Sequence, residues 1–166
     1  MEFADDAHRA AYERVKDYMV QLYGEESRAL ADSPDFVLSR GSAEVNVNVS
    51  SMPEGLVIAI YSWVVTGVEP SIDLYRHLLE ENVGSLFGAY GVGDDNRVLF
   101  RHVVSGESVD KDGLRAAVKA VSDVADGADE HSSAVSAASA PSTTRVRPHE
   151  SRSSLAARVC RQARRA

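Results

Sequence analysis

The chain offers few residues whose types and spacing could hold a metal ion. His77, in a predicted helix, and His102, in a predicted strand, lack the short ligand spacings that metal sites use. Asp94, Asp95 and Asn96 lack the twelve-residue ligand pattern and the final glutamate of a calcium loop. The sequence therefore predicts ordinary histidines and a turn, with no metal site and no cofactor.

Residues that could serve nucleophilic catalysis or phosphate binding are also without their usual surroundings. Neither Ser62 nor Ser85 lies in a local signature for a nucleophile with its base and oxyanion hole. Gly88, Gly91 and Gly93 fall within and just after a predicted strand, and no helix starts from them, so they do not form a phosphate-binding loop. Glycines in a strand more often allow close packing against the backbone. We predict no catalytic residue and a protein that is not an enzyme.

The segment with the most binding potential is the apolar run over residues 56–65. Period-two alternation places one apolar set on each face of this strand. A tyrosine or tryptophan ring buries about 150–250 Å², so both faces should be covered. The cover could be a helix of the same chain, a second subunit or a bound peptide. The predicted protein-binding residues, all on one face, are Val57, Tyr61, Trp63 and Val65.

These residues need a scaffold, and the hydrophobic periodicity predicts one. Apolar residues at three- and four-residue spacing predict helices from residue 4 to 23, from about 70 to 84 and from about 111 to 126. Strands are predicted over residues 36–39, 44–50, 56–65, 86–92 and 97–104. The order α-β-β-β-α-β-β-α indicates an α+β fold with an antiparallel sheet of about five strands. The inward face of the second helix is predicted to be Ile72, Tyr75, Leu78, Leu79 and Val83.

Charge divides the chain into two parts. Residues 1–130 carry 11 Lys and Arg against 24 Asp and Glu, whereas residues 131–166 carry seven Arg against Glu150 alone. The first part is predicted to be one acidic domain, which should repel nucleic acid and anionic membranes. The second part is rich in Ser, Ala and Arg and poor in large apolar residues, so it is predicted to be a disordered tail. Nucleic-acid binding is expected, if at all, only through this tail.

Location is predicted from the cysteine count and from the apolar runs. The single cysteine, Cys160, leaves no pair for a disulfide, and the acidic N-terminal residues do not resemble a secretory leader. The longest apolar stretch, residues 56–68, is too short to span a bilayer. We therefore expect a cytoplasmic protein that does not enter the membrane.

Three segments resemble the YbjN-like branch of the type III secretion chaperone-like superfamily. They are residues 74–82 (LYRHLLEEN), 86–91 (LFGAYG) and 97–102 (RVLFRH), and the likeness in element order extends over about residues 5–126. The resemblance implies an antiparallel sheet with the first and last helices on one face, frequent homodimers, and a role in holding unfolded or extended segments of other proteins. The tail departs from the family pattern.

Together, these observations predict a non-enzymatic, chaperone-like or adaptor protein that binds peptide segments of a client, as a homodimer. The alternative is a small-ligand-binding or regulatory domain without catalysis, which would need a deep pocket with converging polar groups.

Overall fold

The computed structural model describes residues 1–40, 43–93 and 95–127. The predicted tail, residues 131–166, and its boundary near residue 130 lie outside the described residues. The helices are α1 (Asp6–Tyr23), α2 (Ile72–Gly84) and α3 (Lys111–Asp126). The strands are β1 (Ser27–Ala29), β2 (Asp35–Arg40), β3 (Ala43–Met52), β4 (Gly55–Val65), β5 (Ala89–Val92) and β6 (Val98–Ser105).

The six strands form one antiparallel sheet in the order β1-β2-β3-β4-β6-β5. The predicted α+β class and antiparallel sheet are confirmed, with one strand more than the predicted five. The additional strand is β1, which has three residues. So short a segment gives no readable alternation, and it becomes a strand by pairing with β2.

Capping residues fix where each helix begins and where α1 ends. Asp5, Ser71 and Asp110 each accept a hydrogen bond from a backbone N–H three residues later, at 2.7, 3.0 and 2.7 Å. α1 ends at Gly24, as predicted, with a φ of 52° that favours glycine. Its N–H donates to the carbonyl of Val20.

The main core lies between one face of the sheet and helices α1 and α3. The alternating pattern of β3 buries its valines, while its intervening polar residues point to the opposite face. Large side chains that are almost fully buried here include Met19, Phe36, Leu38, Val45, Val47, Val49, Ile58, Ile60, Phe100 and Leu114.

One buried polar residue, His8, ties α1 to the sheet. Its Nε2 donates to the carbonyl of Val49 at 2.8 Å, and its Nδ1 accepts from the N–H of Ala4 at 3.3 Å. Both ring nitrogens are therefore satisfied, as a buried imidazole requires. This histidine serves the fold.

α2 packs beside β5, on the same sheet face as α1 and α3. Its buried residues are Leu74 and Leu78, which form a second, smaller cluster with Val68 and Val98. The predicted inward face was right for Leu78 but wrong for most of its members. Because α2 contacts only the end of the sheet, it buries a narrow stripe and leaves exposed Ile72, Tyr75, Leu79 and Val83.

Candidate functional site

The sheet face opposite the helices is not covered by any described helix. α1, α3 and α2 all pack against the face that carries Ile58, Ile60 and Phe100. We call the opposite side the open face. Its central residues, from β3, β4 and β6, are Glu44, Asn46, Asn48, Val57, Ala59, Tyr61, Trp63, Leu99, Arg101 and Val103.

Strand register brings the centre of the open face together. Tyr61 lies between Asn46 on β3 and Arg101 on β6, and Trp63 lies opposite Leu99. A shallow depression of about 310 Å³ forms here, lined by Asn48, Ala59, Tyr61, Trp63, Leu99 and Arg101. Its floor is aromatic and aliphatic, and its edges carry amide and guanidinium groups.

Trp63 is held in place by its neighbours. The guanidinium carbon of Arg97 lies 3.8 Å from the ring centroid, and the Tyr61 ring meets it edge to face at 6.2 Å. Gly93 allows the hairpin turn to lie against the indole, since a Cβ at that position would be 3.3 Å from two ring carbons. The tryptophan is therefore half-buried by its own sheet while remaining part of the open face.

The pKa of Tyr61 reports the surroundings of this depression. Burial of the phenol raises the pKa above its ordinary value of 10.0, and the Asp35 carboxylate raises it further. The positive charge of Arg101 lowers this pKa, the negative charge of Glu44 raises it, and Arg97 lowers it. Charges of both signs therefore lie near the Tyr61 ring.

These charges differ in how they are paired. Arg97 forms an ion pair with Asp95, and Asp35 accepts a hydrogen bond of 2.6 Å from the side chain of Asn48. Arg101 and Glu44 are exposed, and neither forms an ion pair with a described residue. The open face thus carries an acidic group on its β3 side and a basic group on its β6 side.

Three of the four predicted binding residues share the open face, and one does not. Val57, Tyr61 and Trp63 are half-buried members of the open face. A β-bulge between Trp63 and Val65 shifts the register, so Val65 lies opposite Val98 and packs on the second cluster. Alternation alone could not reveal this shift.

A second apolar surface, the α2 stripe, consists of Ile72, Tyr75, Leu79 and Val83. Ile72 is 77% exposed, Leu79 65% and Val83 90%. With Arg76 and Glu80 they line a shallow depression of about 450 Å³. The sequence did carry a signal for this surface, because apolar residues at positions 72, 74, 75, 78, 79 and 83 occupy more of the helix than one packed face needs.

Ser62, considered for catalysis, and His102, considered for metal binding, take structural positions. The Ser62 hydroxyl is buried and donates to the carbonyl of Glu44 at 2.7 Å. His102 meets the ring of Phe87 edge to face at 6.0 Å. Over residues 1–40, 43–93 and 95–127, no group of three or more His, Cys, Asp or Glu side chains is placed to hold a metal ion.

None of the helices in the described ranges has the apolar length that crossing a membrane requires.

Several solved structures share this fold at low sequence identity. A chain of the HopA1–SchA chaperone–effector complex superposes with a TM-score of 0.58 at 10% identity, covering 76% of this chain and 98% of the other. A chain of the complex between the Yersinia pestis type III secretion chaperone SycH and a fragment of YscM2 gives 0.51 at 12% identity, covering 69% of this chain and 96% of the other. YbjN from E. coli gives 0.51 at 16% identity, covering 73% and 92%.

Sequence comparison extends the likeness from fold to family. No curated protein sequence matches the chain. One family model, described as "T3SS (YopN, CesT) and YbjN peptide-binding chaperone 1", matches residues 10–136, which is most of the chain. The resemblance inferred from residues 74–102 is thereby confirmed. The chain belongs to the TY-Chap1 family of peptide-binding chaperones.

Proposed function

We propose that this protein is a non-enzymatic chaperone or adaptor that holds a peptide segment of a partner protein on its open face, at Val57, Tyr61 and Trp63. The observation that carries this proposal is an aromatic and aliphatic depression on a sheet face that no described helix covers. Covering apolar surface there favours binding by about 25 cal/mol per Å², before the costs of association. Val65 is partly buried against the second cluster and is not part of the proposed contact.

Membership of a family of peptide-binding chaperones supports a protein client. Two structures that share the fold, at low identity, are described as complexes of chaperones with an effector or with a fragment of another protein. The depression is shallow and open, whereas small-ligand sites bury most of their ligand. A peptide segment therefore suits this face better than the alternative of a small ligand.

Absence of catalysis is part of the proposal. Ser62 is buried with its hydroxyl committed to a backbone carbonyl, so it is not available as a nucleophile. The charged groups around Tyr61 are spread over three strands and are exposed, ion-paired or hydrogen-bonded to Asn48. We also propose a cytoplasmic location, since the single cysteine leaves no pair for a disulfide within the chain.

The proposal includes a homodimer formed through the α2 stripe. This surface is separate from the open face, because α2 packs on the opposite side of the sheet. An exposed apolar helix face of this kind is costly to leave in water and is typical of a protein interface. A dimer through α2 would leave the open face of each subunit free for a client.

We further propose that residues 1–130 are the folded unit and that residues 131–166 are dispensable for its stability. A chain ending at residue 130 should then keep its thermal midpoint. A large decrease in that midpoint would show that the tail packs on the domain.

The proposed function is tested by replacing the tyrosine ring of the open face. Client segments are first isolated from the native host and then titrated against the full-length protein, with Trp63, the single tryptophan, as the fluorescent reporter. Tyr61→Ser should weaken binding at least tenfold. The control is Val20→Ser, which changes an exposed apolar residue of α1. Equal affinity for both variants would contradict binding on this face.

A further inference from the structure

The open face carries charged side chains beside its aromatic rings. The inference drawn from them rests on the proposed function and concerns the same surface. Across the strand β4, which bears the aromatic rings, Glu44 lies on one side and Arg101 on the other. Both side chains are exposed, and neither has an ion-pair partner among the described residues.

The other charged groups near the rings are already engaged. Arg97 stacks on Trp63 and pairs with Asp95, and one oxygen of Asp35 accepts from Asn48. Arg28 shares this side of the sheet but lies on β1, three strands from Tyr61. Glu44 and Arg101 are therefore the two charges most available to a segment lying on Tyr61 and Trp63.

Strand geometry gives the separation of these two charges. β3 and β6 flank β4, so their backbones are two strand spacings, about 10 Å, apart. Arg101 is level with Tyr61, whereas Glu44 is two residues beyond Asn46, the β3 partner of Tyr61. This offset of about 7 Å makes the diagonal about 12 Å.

An extended peptide matches that diagonal with a simple pattern. Its residues i, i+2 and i+4 point to the same side, and residues i and i+4 are about 13 Å apart. We infer that the open face selects extended client segments in which an apolar residue is flanked, two positions away on each side, by one acidic and one basic residue. The apolar residue contacts Tyr61 and Trp63, the acidic residue pairs with Arg101, and the basic residue pairs with Glu44.

The test uses three nine-residue peptides with blocked ends, serine at the remaining positions and a central leucine. The flanking pair is Glu and Lys in the first peptide, Lys and Lys in the second, and Glu and Glu in the third. Binding to the full-length protein is measured by Trp63 fluorescence. Because partly exposed ion pairs contribute little individually, we expect the mixed peptide to bind about threefold to tenfold more tightly than either of the others.

Variants that reverse the charge of Arg101 or Glu44 test the inference most directly. Arg101→Glu should shift the preference to the Lys and Lys peptide, and Glu44→Lys should shift it to the Glu and Glu peptide. Arg115→Glu, an exposed position on α3 across the sheet, is the matched control and should keep the wild-type order. Circular dichroism melting curves confirm that each variant is folded.

The remaining outcomes separate this inference from the proposed function. Equal affinity for all three peptides overturns the charge pattern and leaves peptide binding on the open face intact. Tightest binding of the Lys and Lys peptide by the wild-type protein also overturns it, because the net charge of −7 then governs binding. No response of Trp63 to any peptide overturns both proposals.

Discussion

The guanidinium carbon of Arg97 lies 3.8 Å from the centroid of the Trp63 ring. Arg97 immediately precedes β6, so this contact joins the hairpin turn to the C-terminal end of β4. This contact therefore holds the hairpin turn against the open face at Trp63.

Removing the Arg97 side chain should loosen this arrangement. At a partly exposed site a cation–π contact contributes about 0.5–1 kcal/mol, so Arg97→Ala should lower the free energy of unfolding by about that amount. The emission of Trp63 should shift to longer wavelength, since water replaces the guanidinium. Arg115→Ala on α3 serves as the control, and an unchanged emission spectrum in Arg97→Ala would contradict the contact.

Gly88 is required by both its backbone angle and its neighbours. Its φ is 99°, and a Cβ there would lie 2.5 Å from the carbonyl oxygen of Arg101. Gly88→Ala should therefore cost about 1–3 kcal/mol of stability. Gly84→Ala, at the end of α2 with open space around it, should be neutral or slightly stabilising. Equal unfolding curves in urea for the two variants would rule out this role.

Asn82 connects α2 to β5 through both polar atoms of its side-chain amide. Its Oδ1 accepts from the N–H of Tyr90 at 2.6 Å, and its Nδ2 donates to the carbonyl of Tyr90 at 3.2 Å. Asn82→Ala should cost about 1–3 kcal/mol, because these bonds are lost in a partly buried site. The amide hydrogen of Tyr90 should also exchange faster. Glu81→Ala, one position earlier and exposed, should leave both quantities unchanged.

The α2 stripe predicts a dimer that a single charge can disrupt. Leu79 is 65% exposed in the monomer, so Leu79→Glu should dissociate the dimer with little effect on monomer stability. Light scattering after size-exclusion chromatography measures the change in mass. Arg76→Gln, beside the stripe, is the control that keeps its apolar surface. A wild-type protein that is already monomeric at micromolar concentration would exclude the dimer.

The raised pKa of Tyr61 gives a prediction for alkaline pH. Burial keeps the phenol neutral in the folded state at pH values where the unfolded state, with a pKa near 10, already loses its proton. The folded state then binds more protons than the unfolded state, so stability falls as pH rises above about 10. Tyr61→Phe should show a smaller fall, measured by urea unfolding at pH 8 and pH 11. Tyr12, Tyr23 and Tyr90, whose pKa values are also raised by burial, contribute to the fall as well. An identical fall in wild type and variant would contradict the prediction.

The sequence predicted the elements well where local chemistry decides them. Asp110 and Gly24 mark helix ends because capping depends on neighbouring backbone groups. The valines of β3 alternate with polar residues, so its buried face could be assigned without a partner strand. Strand β1 was missed, since three residues carry no periodicity and only pairing with β2 defines them.

The candidate site was predicted in part. The same alternation that placed Val57, Tyr61 and Trp63 together failed at Val65, where a bulge between β4 and β6 shifts the register. In α2, helical spacing identified the apolar residues but not which of them face the sheet. Leu79 and Val83 are exposed because α2 reaches only the end of the sheet, beside β5.

The sequence by itself determined the helices, the long strands and their apolar faces, because these depend on periodicity and on capping within a few residues. Only the tertiary structure decided which apolar surfaces remain in contact with water and which charges border them. That outcome depends on register and on where each helix docks, both of which arise from contacts between residues far apart in the chain.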